Sequence, residues 1–144
     1  VNNYRKTKKY VYFRFMKIPL ILFFLLLGVS ISAQIKKKDL GLYAGVIEEY
    51  SINNGVKLLT VQESTVRVSI DKSMLILQIG QQEYKAAYKA SKESKRVYKI
   101  TADLKYSDIQ ESFYLYGKEK RLLRKGIFPQ PDSELVKQSK QEVL

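Results

Sequence analysis

From residue 65 onward the chain repeats one pattern: apolar and polar residues alternate over short runs, and each run ends in a turn-forming pair. Successive side chains of a strand point to opposite faces, so a period of two predicts strands with one face buried and one wet. The clearest run is 65–70, where Val66, Val68 and Ile70 share a face and Arg67 and Ser69 point away. Asp71-Lys72 makes a short turn, and 74–79 (Met-Leu-Ile-Leu-Gln-Ile) returns as a more fully buried strand, a β-hairpin.

The same reading extends along the chain. Asn54-Gly55 suits a type I′ connection between strands at 42–52 and 56–62, because both residues tolerate positive φ. Gly80-Gln81-Gln82 turns into a strand over 83–90, 91–94 is a polar turn, and 95–104 carries Tyr98, Ile100, Ala102 and Leu104 on one side. Residues 106–110 are irregular, and a last hairpin joins 111–117 to 121–128 around Lys118-Glu119. Pro129 and Pro131 end the sheet, after which Asp132 or Ser133 caps a short helix running to about Val143. The expected fold is therefore all-β: an antiparallel meander of about eight strands closed as a barrel or half-open barrel, with a short C-terminal helix. A two-sheet sandwich has the same periodicity.

A different polymer precedes this domain. Residues 18–33 form one apolar run, read as an N-terminal apolar helix, with Met16-Lys17 before it and Ser-Ile-Ser-Ala at its end. Basic start, apolar middle and small residues at the cut are the parts of a secretory signal, with cleavage between Ala33 and Gln34 and translation starting at Met16. The rival is a retained anchor, although sixteen residues fall short of the roughly 20 that a spanning helix needs. Residues 1–33 hold six basic side chains and no acid, so of 26 basic and 14 acidic residues 20 and 14 remain in 34–144, a net charge of +6. The predicted organisation is a leader over 1–33 and one exported domain over 34–144, in the periplasm or secreted, or anchored by a single span.

The residue types limit the chemistry. The chain has no Cys, His or Trp. A Ser–His–Asp triad, a thiol nucleophile, and imidazole or thiolate metal sites are therefore excluded, as are disulfides and lipid attachment through an N-terminal cysteine. Glu48 and Glu49 are adjacent in a strand and face opposite sides. Asp103, Asp108 and Glu111 are the one local acidic cluster, without the ligand spacing of a calcium loop. Ser73 beside Lys72 lacks the spacing of a Ser–Lys dyad, and Gly117-Lys118 lacks the rest of a phosphate loop. No enzyme, metal or cofactor is expected.

Two groups remain as binding candidates. Tyr84 and Tyr88 share a strand face with Ala86 between them, Tyr114 and Tyr116 alternate similarly, and Tyr98 lies on the strand between. Such aromatics either line a ligand cavity or are ordinary sheet residues stacking across strands. Basic residues gather at 36–38, at Lys92, Lys95 and Arg96, and at Lys118, Lys120, Arg121, Arg124 and Lys125. The last group is the candidate for contact with an anionic lipid or polysaccharide surface, the alternative being a solvated face guarding an edge strand. Nucleic acid is not an expected partner.

Gly41-Leu42-Tyr43 at the first strand, an eight-strand meander and Arg124 on the last strand together resemble the lipocalin pattern, in which Gly-x-Trp opens a barrel and a late Arg covers the aromatic ring. Tyr stands here where that family has Trp, and its other motifs are missing. The resemblance implies a closed barrel with Arg124 against Tyr43. The function expected is a non-enzymatic exported β-domain that binds a ligand or a surface in the cell envelope, or a structural or adaptor protein held there by its anchor.

Overall fold

The computed structural model describes residues 32–105 and 108–139. The start at Met16, the apolar helix and residues 140–144 lie outside the described residues.

Ten strands follow a single 3-10 turn at Lys37–Asp39: β1 (Gly41–Ile47), β2 (Tyr50–Asn53), β3 (Leu58–Val61), β4 (Ser64–Ile70), β5 (Met74–Ile79), β6 (Gln82–Ser94), β7 (Val97–Ala102), β8 (Glu111–Tyr116), β9 (Arg121–Lys125) and β10 (Ser133–Lys137). Eight of them close an antiparallel barrel in the order β1-β4-β5-β6-β7-β8-β9-β10, and β10 pairs back onto β1. Closure gives every barrel strand a partner on both sides. β2 and β3 form a separate hairpin in the connection from β1 to β4.

The expected all-β barrel of eight strands is present, but its membership differs from the sequence reading. The strand expected over 42–52 breaks at Glu48-Glu49, and its second half pairs only with β3. The eighth barrel strand is β10, over residues expected to begin a helix. The gap between β9 and β1 has to be filled by a strand, and pairing on both sides gives 133–137 backbone partners that an isolated helical turn would not supply.

Two turns also differ. Asn54-Gly55 sits inside a four-residue turn, with Asn54 Oδ1 accepting from the backbone N–H groups of Val56 and Lys57 at 3.1 and 2.9 Å. β6 runs through the expected polar turn at 91–94 and reverses at Lys95-Arg96, after a register shift between Lys92 and Ser94. The Asp71 turn is as expected: Asp71 Oδ1 accepts from the N–H groups of Ser73 and Met74 at 2.9 and 3.1 Å.

The inward residues form one core. Tyr43, Val66, Val68, Leu75, Leu77, Ile100, Phe113, Leu115, Leu122 and Leu135 have no accessible surface, so no water-sized void lies beside them. Each Leu, Ile, Val or Phe so buried contributes about 1.5–3 kcal/mol of transfer free energy. The outward face is mixed, with Arg67, Lys85, Lys89, Lys99, Arg121 and Glu134 alongside Leu42, Ile76, Tyr114, Leu123 and Val136.

Because neighbouring strands alternate in direction, the connections alternate between two ends. One end, the floor, holds residues 36–40, the turns at 71–73, 95–96 and 117–120, and the close of β10. The other, the rim, holds the connections 48–63, 80–81, 103–105 with 108–110, and 126–132.

Candidate functional site, a charge-polarised barrel

The floor is locked by one buried carboxylate. Asp39, at the end of the 3-10 turn, is ion-paired with the guanidinium of Arg96, whose Nε donates to Oδ2 at 3.2 Å. Arg96 has a φ of 63° at the β6–β7 turn and also donates to the carbonyl of Gly117, while the Gly117 N–H donates to Arg96 O at 2.8 Å. Gly117 fits only because it lacks a side chain: a Cβ there would overlap the Asp39 carboxylate. Tyr43 O–H donates to Asp39 O at 2.6 Å, and Lys137 Nζ to Lys38 O at 2.6 Å. Burial pushes the Tyr43 phenol well above its ordinary pKa, with the Asp39 charge adding to it, so it stays a donor.

Around this lock stand the basic residues that the sequence scatters. Lys36, Lys37, Lys38, Lys72, Lys92, Lys95, Arg96, Lys118, Lys120, Arg121 and Lys137 all lie at or beside the floor, against Asp39, Asp71, Glu93 and Glu119. That is eleven basic against four acidic, or +7. The rim has the opposite sign: Glu48, Glu49, Glu63, Glu83, Asp103, Asp108 and Asp132 against Lys57, Lys105 and Lys125, or −4. Charge is thus separated along the barrel axis, which sequence order does not reveal.

The expected basic group at 118–125 is divided by the fold. Lys118 and Lys120 are exposed on the floor turn and make no ion pair among the described residues. Arg121 lies 4.4 Å over the ring of Tyr116 and pairs with Glu119 and Glu134 at 2.8 and 3.1 Å. Lys125 is at the rim, paired with Asp132. Arg124 points into the barrel with no accessible surface, so it adds nothing to a surface patch. It pairs with Glu111 at 2.6 Å and donates to Gln130 Oε1 at 3.0 Å. The pairing of Arg124 with Tyr43 implied by the lipocalin resemblance is not formed, because the two residues lie toward opposite ends. The arginine on the Tyr43 side is Arg96, which sequence reading placed in a surface cluster.

The five tyrosines do not converge on one cavity. Tyr98 is a core residue, Tyr84 and Tyr88 are half-buried against the core, and Tyr114 and Tyr116 lie on the outer face, out of phase with inward Phe113 and Leu115. Tyr84 O–H donates to Gln82 Oε1 at 2.8 Å, and Tyr88 O–H to Asp71 O at 2.7 Å. Tyr88 meets a cleft. This opening of about 180 Å³ at the floor is lined by Ser32, Ala33, Gln34, Ile35, Lys72 and Tyr88. The Ala33 N–H donates to Ala90 O at 2.8 Å and Ile35 is buried, so the segment around the expected cleavage point packs along β6 at the basic end.

Of the expected acidic cluster, Asp103 and Asp108 are exposed while Glu111 is inside with Arg124, and among the described residues no three carboxylates are grouped to hold a metal. Compared with protein-family models, curated proteins and solved structures, the chain finds no match.

Proposed function

We propose that this chain is an exported, non-enzymatic β-barrel that seats on an anionic surface of the cell envelope through its floor. The observation that carries the reading is the gathering of eleven basic side chains on one end of the barrel, with acidic residues displaced to the other. A charge distribution of this shape orients a molecule as it approaches a negative surface, and each lysine near an anionic leaflet is worth about 1 kcal/mol. The filled interior favours a surface reading over an internal pocket.

Vesicle co-sedimentation tests it, using protein recovered from the envelope of cells expressing the full chain. Binding is expected to anionic vesicles and not to zwitterionic ones, and to vanish in 1 M salt. Replacing Lys118 and Lys120 by Gln removes about 2 kcal/mol, roughly 30-fold in affinity. Equal binding to both vesicle types would defeat the reading. The adaptor reading with a retained anchor gains from the position of residues 32–35, which lie beside Lys72 and Tyr88 at the same basic end. The intact mass of the recovered protein separates the two.

A further inference from the structure

The rim carries features that a floor-bound barrel leaves unused. Its charge is negative, and among the described residues the large apolar side chains exposed to solvent, all but Val136, stand on or near it. Phe128 is 93 % exposed, Val56 90 % and Ile109 62 %, on three different connections. The loop bearing Phe128 is tied at several points. The Gln130 N–H donates to Ile127 O and the Gly126 N–H to Asp132 Oδ1, both at 2.9 Å, while Arg124 holds Gln130 from inside. A ring held out by a tied loop gives up little freedom when it binds. The floor of the same molecule offers what such a knob needs: positive charge, and a cleft whose Gln34, Ile35, Lys72 and Tyr88 walls remain after a cut between Ala33 and Gln34.

We propose that the acidic rim of one copy docks on the basic floor of the next, with Phe128 entering the Tyr88–Lys72 cleft. Charge complementarity of the two ends selects a second copy as the occupant. The contact is heterologous, since donor and acceptor sit at opposite ends, so it extends into an open row instead of closing as a dimer. One barrel end is a small patch at the low end of specific interfaces, so the association is weak and grows with local concentration. The inference goes beyond the surface reading: within a row only the terminal copy keeps its floor for an anionic surface, so the two uses of the floor compete.

The absence of cysteine makes the test clean, because introduced thiols are unique. Ile127→Cys and Ser73→Cys, beside Phe128 and Lys72 and leaving both in place, are introduced singly and together in the full chain and treated in the envelope with a short bismaleimide. The double variant is expected to give a ladder of dimer, trimer and longer products. Mixed single variants give dimer only, and neither single variant crosslinks alone. In 1 M salt, which screens charges beyond about 3 Å, the ladder falls at least tenfold. A double variant that stays monomeric overturns the proposal, as happens if lipid or another protein covers the rim. So does crosslinking by a single variant at equal yield, or a ladder indifferent to salt. Without thiols, the apparent sedimenting mass of the envelope-purified protein rises with concentration at low salt, and Phe128→Ser abolishes the rise. That variant retains vesicle binding, so failure of the row and failure of the surface reading are told apart.

Discussion

Single residues decide whether the floor closes. Gly117 leaves the Asp39 carboxylate room to reach Arg96, and Gly117→Ala forces a methyl group into that space. Overpacking of this kind costs about 1–3 kcal/mol, to be read as a lowered urea midpoint with an unchanged slope. Acid response is set by individual carboxylates of opposite sign. Backbone donors from Ser73 and Met74 hold the Asp71 carboxyl below its usual range, so its contribution is present above the ordinary carboxylate pKa and is lost as pH falls through the lower folded value. Burial pushes the Glu111 carboxyl up, against the lowering by Arg124, so its contribution is present at low pH and is lost as pH rises through the raised value. Asp71→Ala is therefore expected to flatten the fall in stability below about pH 4, measured by urea unfolding between pH 3 and 7. An unchanged acid limb would contradict the assignment.

Between elements, the seam between β1 and β10 and the buried pair between β8 and β9 carry the barrel's integrity. Gly45 lies opposite Leu135, where a Cβ would overlap the Glu134 carbonyl oxygen, so β1 approaches β10 backbone to side-chain-free backbone. Gly45→Ala is expected to loosen that seam and raise amide exchange in β10 before the rest of the barrel. The Glu111–Arg124 pair ties β8 to β9 and, through Gln130, to the rim loop. Glu111→Leu strands a buried guanidinium and costs about 3–5 kcal/mol, whereas adding Arg124→Met recovers most of the loss, because the desolvation of both charges disappears together. A double-mutant cycle measures the coupling.

At the scale of the molecule, the meander sorts charge. Three basic clusters far apart in sequence meet because residues 36–38, the β6–β7 turn and the β8–β9 turn are all connections of one parity in an antiparallel barrel. The expected physical consequence is orientation: thiol-reactive spin labels at floor position Lys95→Cys should be shielded by anionic vesicles, while labels at rim position Lys57→Cys should stay solvent-accessible. Equal shielding of both ends would mean that the charge separation does not orient the barrel.

What the sequence determined by itself is local. Alternation over 65–70 named β4 with its inward residues, since side-chain direction in a strand follows from neighbours two apart, and the apolar run 74–79 named β5 and the Asp71 turn but not which of its residues face inward. The inward position of Arg124 was legible in the same way, because it shares a face with buried Leu122, but its charge drew it to the surface reading. Tertiary structure decided the rest. Ser133–Lys137 became a strand because β9 and β1 offered partners on both sides, across a pairing of Tyr43 with Lys137 that no local pattern encodes. Which end gathers the lysines likewise depends on strand parity and closure, properties of the whole ring and of no segment within it.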